Sequence, residues 1–268
     1  MRNKLKKIFS LIKTLFIMYI DKHISGLSVQ LSYYMLFTFF PVLLLANSAL
    51  AGALPEDFVL PLSNVIPEPV RDFAALYIAE TANPQNTRLI FLGAFLTLYS
   101  LTKYIRSYRY ALRSIYEKNR NMNTVSDWTL SFLFSLGMLL LFYVAVFSVF
   151  FTDTLLSALG LGVFAESLWY MLRFFIIALY AFFVICALHF AECGSGEKLR
   201  SFAPGALCSV GVWTLISVIF SYYASEVASY SVVYGSIGNV IMLLVWLNIT
   251  NTILLMSAPF NIVFMKKG

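Results

Sequence analysis

The chain has 268 residues, 60% of them apolar and 12% charged, with 25 Phe, 16 Tyr, 4 Trp and a net charge of +6. A soluble domain is roughly 45–50% apolar and about 25% charged, so charge this sparse cannot solvate such a surface, and a mean hydropathy of +0.81 identifies an integral membrane protein. Disorder, a collagen-like repeat and a disulfide-built secreted scaffold are excluded together by 8 Pro, 13 Gly and 3 Cys.

Residues 4–20, KLKKIFSLIKTLFIMYI, set Lys4, Lys6, Lys7 and Lys13 against Ile8, Phe9, Ile12, Leu15, Phe16 and Tyr19. Lys13 interrupts the apolar run and no small-residue cleavage site follows, which argues against a signal peptide. The helical spacing predicts an amphipathic helix lying on the inner leaflet. The plainer alternative is an extension of the first span through Asp21 and Lys22.

A helical span needs about 20 mostly apolar residues. Six stretches qualify, at about 27–52, 88–106, 127–151, 168–191, 203–225 and 237–264. They are continuously apolar, without the alternation of a barrel strand. The expected fold is therefore all-α, a polytopic helical bundle with six transmembrane helices. It divides into a cytoplasmic interfacial segment at 1–26, a single membrane domain at 27–264 and a short tail at 265–268. Between the first two spans, residues 53–87 form the longest connection, where Glu68-Pro69 is placed to open a short outer helix.

Orientation follows from the basic residues. Sixteen of the 19 Lys and Arg fall before the first span, around the second and fourth connections, or after the last span. Only Arg71, Arg88 and Arg173 remain for the other side or the spans. The positive-inside bias puts both terminal segments in the cytoplasm. Topology and attraction to anionic headgroups on the inner leaflet thus account for the net charge without nucleic acid.

Polar residues at membrane depth are costly unless they face protein or water. On the first span these include Gln30, Tyr33 and Tyr34, followed by Pro41, whose missing N–H favours a kink. Tyr99 lies on the second span, and Asn239, Asn248 and Asn251 on the last. Each alone is most simply an interhelical hydrogen bond, whereas together they are candidates to line a solute path. On the fifth span, Gly205, Ser209, Trp213, Ser217, Ser221 and Ser225 recur every four residues and predict a packing face. Lys103, Arg106, Arg109 and Arg113 form a cationic face where the second span enters the cytosol. Interleaved with Tyr104, Tyr108 and Tyr110, they are candidate contacts for lipid headgroups or an anionic solute. Arg173, one turn inside the outer end of the fourth span, must snorkel or pair with an outer acid.

Several segments carry a resemblance. LSYYMLFTFFPVLLL at 31–45, ALRSIYE at 111–117, and the run APGAL…W…FSYYAS…Y…YGSIG…W at 203–246 resemble the YihY/BrkB family of bacterial inner-membrane proteins. The resemblance extends from about residue 10 to 264. It implies six spans with both ends inside, and it brings an older label as a tRNA-processing ribonuclease that is regarded as mistaken. It supplies no catalytic residues. Where the family's last helix commonly closes with a Gly-Ala-Glu-Leu-Asn-like stretch, Ser257-Ala258-Pro259-Phe260-Asn261 stands here, so a role for that acid does not transfer.

The residues themselves offer no enzyme. His23 and His189 share no metal-ligand spacing, Cys186, Cys193 and Cys208 form no zinc pattern, and the inner acids Asp21, Glu117, Asp127, Glu192 and Glu197 are scattered. No catalytic, metal or cofactor site is expected. The leading expectation is a transporter or exporter of a small polar or amphipathic solute in the bacterial cytoplasmic membrane. The alternative is a non-transporting scaffold or lipid-binding protein, with a ribonuclease third. Membrane lipids are the expected partners, and a homo-oligomer is compatible with the pattern.

Overall fold

The computed structural model describes residues 2–49, 87–118, 123–158, 163–193, 197–227 and 231–265. Among these residues seven α-helices run in chain order: α1 (Arg2–Asp21), α2 (Ile24–Ala49), α3 (Thr87–Tyr116), α4 (Thr124–Ala158), α5 (Val163–Cys193), α6 (Ala203–Val227) and α7 (Ser231–Met265). A 3-10 turn at Leu199–Phe202 leads into α6. Among the described residues there is no strand.

The predicted apolar stretches fall in α2 to α7. By length and composition, three described segments can cross a membrane: Ile24–Leu43, Leu199–Phe220 and Val240–Met265. Thr124–Leu140 and Ala178–Cys193 are shorter apolar runs. In α3, Lys103, Arg106, Arg109 and Arg113 all lie in the C-terminal half, beyond an apolar N-terminal half. The expected outer helix after Glu68-Pro69 lies outside the described residues, as do the side chains of Arg173 and Asn239.

Helix α3 is the central element, packed on α2, α4, α5 and α7. The main core collects Leu31 from α2, Leu101, Ile105 and Leu112 from α3, Leu188 from α5 and Leu255 from α7. Helix α7 also packs against α6 and α1. The small-residue stripe of α6 makes the first of these contacts. Gly205, Ser209 and Ser217 are buried, and the Ser209 hydroxyl donates to the Ile253 carbonyl at 3.2 Å. A Cβ at Gly205 would overlap the Asn261 amide and the Ser257 carbonyl, so only glycine allows this approach.

Two breaks depend on left-handed residues that are not glycine. His23, at φ 51°, separates α1 from α2, so the N-terminal helix does not simply extend the first span. Glu117, at φ 55°, ends α3. There Lys118 N–H bonds the Arg113 carbonyl at 3.1 Å and Glu117 N–H bonds that of Ser114 at 3.3 Å, a Schellman closure. The Lys22 ammonium pairs with the Glu117 carboxylate and so ties the two breaks together. Helix α2 runs on through Pro41.

Candidate functional site

Three arginines at helical spacing on α3 meet two carboxylates from neighbouring helices. Arg106 Nε donates to Asp127 Oδ2 at 2.9 Å, and Arg113 Nη2 donates to Asp127 Oδ1 at 2.9 Å. Arg109 Nε pairs with Glu192 Oε1, while its Nη1 donates to the Asp127 carbonyl at 2.9 Å and to Ser131 Oγ at 2.8 Å. Arg113 Nε lies 3.3 Å from Glu192 Oε2. Arg109 and Glu192 are 0% exposed. Charges so deeply buried persist only when paired and hydrogen-bonded, which is what the fork of a guanidinium provides. The network fastens the C-terminal half of α3 to the start of α4 and the end of α5.

A neutral network lies beside it. Asn251 on α7 accepts from the Tyr104 hydroxyl at 2.9 Å. Its amide donates to Ser32 Oγ on α2 at 3.3 Å and to the Leu247 carbonyl at 2.8 Å. Further along α7, Ser257 donates to the Leu254 carbonyl, which leaves its oxygen to accept from His189 Nε2 at 2.7 Å. The Tyr116 hydroxyl then donates to His189 Nδ1 at 2.8 Å and accepts from Asn261 Nδ2 at 3.4 Å. Asn261 Oδ1 accepts from the Gly205 N–H at 2.8 Å. This order of donors sets the neutral imidazole with its proton on Nε2. His189 sits one turn from Glu192 on α5, so the two networks adjoin.

The described candidate path residues differ in their surroundings. Gln30, Tyr33 and Tyr99 are exposed on the outside of the bundle, Tyr34 and Asn248 are half-buried, and Asn251 alone is fully buried. The Asn239 side chain lies outside the described residues. A pocket of about 270 Å³ opens elsewhere, between α4 and α5, against Leu133, Phe134, Met138 and Tyr180.

The cationic stripe also divides. Arg109 and Arg113 turn into the bundle because Asp127 and Glu192 await them there. Lys103 and Arg106 stay nearer the surface, both over the Trp128 ring at 5.2 and 4.9 Å. Sequence reasoning passed over Asp127, Glu192, His189, Ser257 and Asn261 as members of a site. A usable signal existed for the first two, since an acid near the end of a mostly apolar helix needs a counter-charge, and an arginine stripe could supply it. The described residues contain no group of three or more His, Cys, Asp or Glu that could hold a metal ion.

The Virulence factor BrkB family model matches residues 15–267, and the chain belongs to that family. It is 24% identical over 264 residues to the Putative ribonuclease-like protein YfkH of Bacillus subtilis (strain 168), covering 96% of each chain. No solved structure matches.

Proposed function

We propose that this BrkB-family membrane protein moves a small polar or amphipathic solute across the bacterial cytoplasmic membrane. Six spans, with both terminal segments inside, fit the 16-to-3 division of its basic residues. The path follows the polar seam where α2, α3 and α7 meet. The Arg109–Glu192 cluster closes its cytoplasmic end.

The observation that carries this reading is the depth of the polar seam. Ser32, Tyr104, Asn251, His189 and Ser257 are buried in helices whose outer surfaces are apolar. Each alone serves as an interhelical bond, but a continuous line of such groups at membrane depth is what a polar path requires. A scaffold is favoured instead by one detail. The Asn251 side chain is bonded on both its oxygen and its nitrogen by Tyr104, Ser32 and Leu247, as a purely structural residue would be. Asp127 and Glu192 are both engaged by arginines, which disfavours their use as a metal-binding or acid–base pair by a ribonuclease.

The test is efflux of candidate solutes from reconstituted vesicles, comparing the natural chain with Tyr34→Phe, Asn248→Leu and Asn251→Leu. Reduced flux with normal folding supports a transporter. Absence of flux for every candidate, with intact folding, supports the scaffold.

A further inference from the structure

The cationic stripe leaves a residue that the ionic network does not absorb. On α3, Phe91, Phe95, Tyr99 and Lys103 recur every four residues and so share one face. Their rings are open to the surroundings, Phe91 at 73%, Phe95 at 67% and Tyr99 at 50% exposure. Phe95 and Tyr99 stack with centroids 6.4 Å apart. Lys103 Nζ stands 5.5 Å from the Tyr99 centroid and 5.2 Å from that of Trp128 on α4. From Trp128, a matching row of exposed side chains, Phe132, Leu136 and Leu140, leads down α4 at the same interval. Both rows depart from the Lys103–Trp128 contact towards the apolar part of their helices.

Charge completes the pattern. Asp127 and Glu192 are shared among Arg106, Arg109 and Arg113, and neither pairs with Lys103. Lys103 is stacked on aromatic rings and forms no ion pair with a described carboxylate. An ammonium held by a tryptophan at the headgroup level, above exposed aromatic and aliphatic rows, is complementary to one molecule. That molecule has a phosphate at one end and an acyl chain at the other.

We propose that Lys103, Arg106 and Trp128 form a headgroup site for an anionic glycerophospholipid of the inner leaflet, with its acyl chain along the α3 and α4 rows. The phosphodiester sits against Lys103 and the exposed edge of Arg106. Tyr99, Phe95 and Phe132 take the first part of the chain. The site rests on the proposed topology, which sets Lys103 at the cytoplasmic headgroup level, but it does not require transport.

The full chain is reconstituted in nanodiscs of phosphatidylcholine containing a small fraction of phosphatidylglycerol, with bromine on the acyl chains of one lipid at a time. Quenching of Trp128 fluorescence, taken as the difference from Trp128→Phe, reports which lipid occupies the site. Brominated phosphatidylglycerol is expected to quench well beyond its mole fraction. Lys103→Gln lowers that preference about fivefold, as one surface cation does, while Lys103→Arg and the control Arg200→Gln retain it. Quenching by brominated phosphatidylcholine serves as the check on folding in every variant. Quenching by each lipid in proportion to its mole fraction in the natural chain, or an unchanged preference in Lys103→Gln, overturns the site. Displacement of the lipid by soluble glycerol phosphate also overturns it, in favour of a simple phosphate site. Loss of flux with the preference intact defeats transport alone, and loss of preference with normal flux defeats this site alone.

Discussion

Arg109 and Glu192 form an ion pair in which neither side chain keeps any exposure. Removing one partner therefore unbalances a buried charge that Arg113 beside Glu192, or Asp127 beside Arg109, compensates only in part. Arg109→Met and Glu192→Gln should each cost about 3–5 kcal/mol of stability. The joint variant Arg109→Met/Glu192→Gln should cost less than the sum. Thermal unfolding of the four proteins in detergent gives the coupling, and strictly additive losses would show that the pair is not a unit.

The neutral seam should respond more mildly. Tyr104→Phe removes the donor to Asn251 but keeps the ring, and the expected loss is about 0.6–2 kcal/mol, the range for interhelical hydrogen bonds in membranes. The same unfolding measurement checks it. A larger loss would mean that Tyr104 also anchors the core beyond its hydroxyl.

Close approach of α6 and α7 at Gly205 gives a sharper contrast. Gly205→Ala should destabilise by about 1–3 kcal/mol, because the new methyl group meets the Asn261 amide and the Ser257 carbonyl. Gly211→Ala, whose added Cβ meets nothing within 4 Å, should be neutral or slightly stabilising. Equal stability of the two variants would argue against the observed helix contact.

Topology is open to direct labelling. Cysteines at Ser63 and Asn119 should react in opposite senses with an impermeant thiol reagent. Only the Ser63→Cys protein should be labelled in intact cells, and Asn119→Cys only after permeabilisation. Labelling of Asn119→Cys alone in intact cells would reverse the orientation.

Purified chain free of contaminating nucleases should leave tRNA intact. Processing that survives purification and disappears in Glu192→Gln would establish an enzyme where the arginine-bound carboxylates predict none.

Local periodicity made much of this molecule readable. The six apolar runs lie in α2 to α7, and the four-residue spacing from Gly205 to Ser217 already described the face that α6 turns to α7. The break at His23 was not readable, since a left-handed histidine has no composition signal of the kind a glycine carries. Burial of Arg109 was invisible for a different reason. Its partners stand 18 and 83 positions away on two other helices, and periodicity within α3 says nothing about what those helices bring. Asn251 shows both sides of the problem. Its cost at membrane depth was evident from its type, while its bonds to Ser32 and Tyr104 depend on how three helices meet. Ser257 and Asn261, in the segment that departs from the family pattern, proved to be anchors of the His189 network.

Because α3 carries both the arginines and Tyr104, it is angularly locked. Turning it by a single residue swings every side chain through about 100°. Tyr104 would then leave Asn251 at the same moment as the guanidiniums leave Asp127 and Glu192. Axial rotation of α3 would break both sets of bonds together and gain no new partners for them. A rearrangement that opens this bundle and keeps these bonds must therefore carry α3 together with the helix ends it grips.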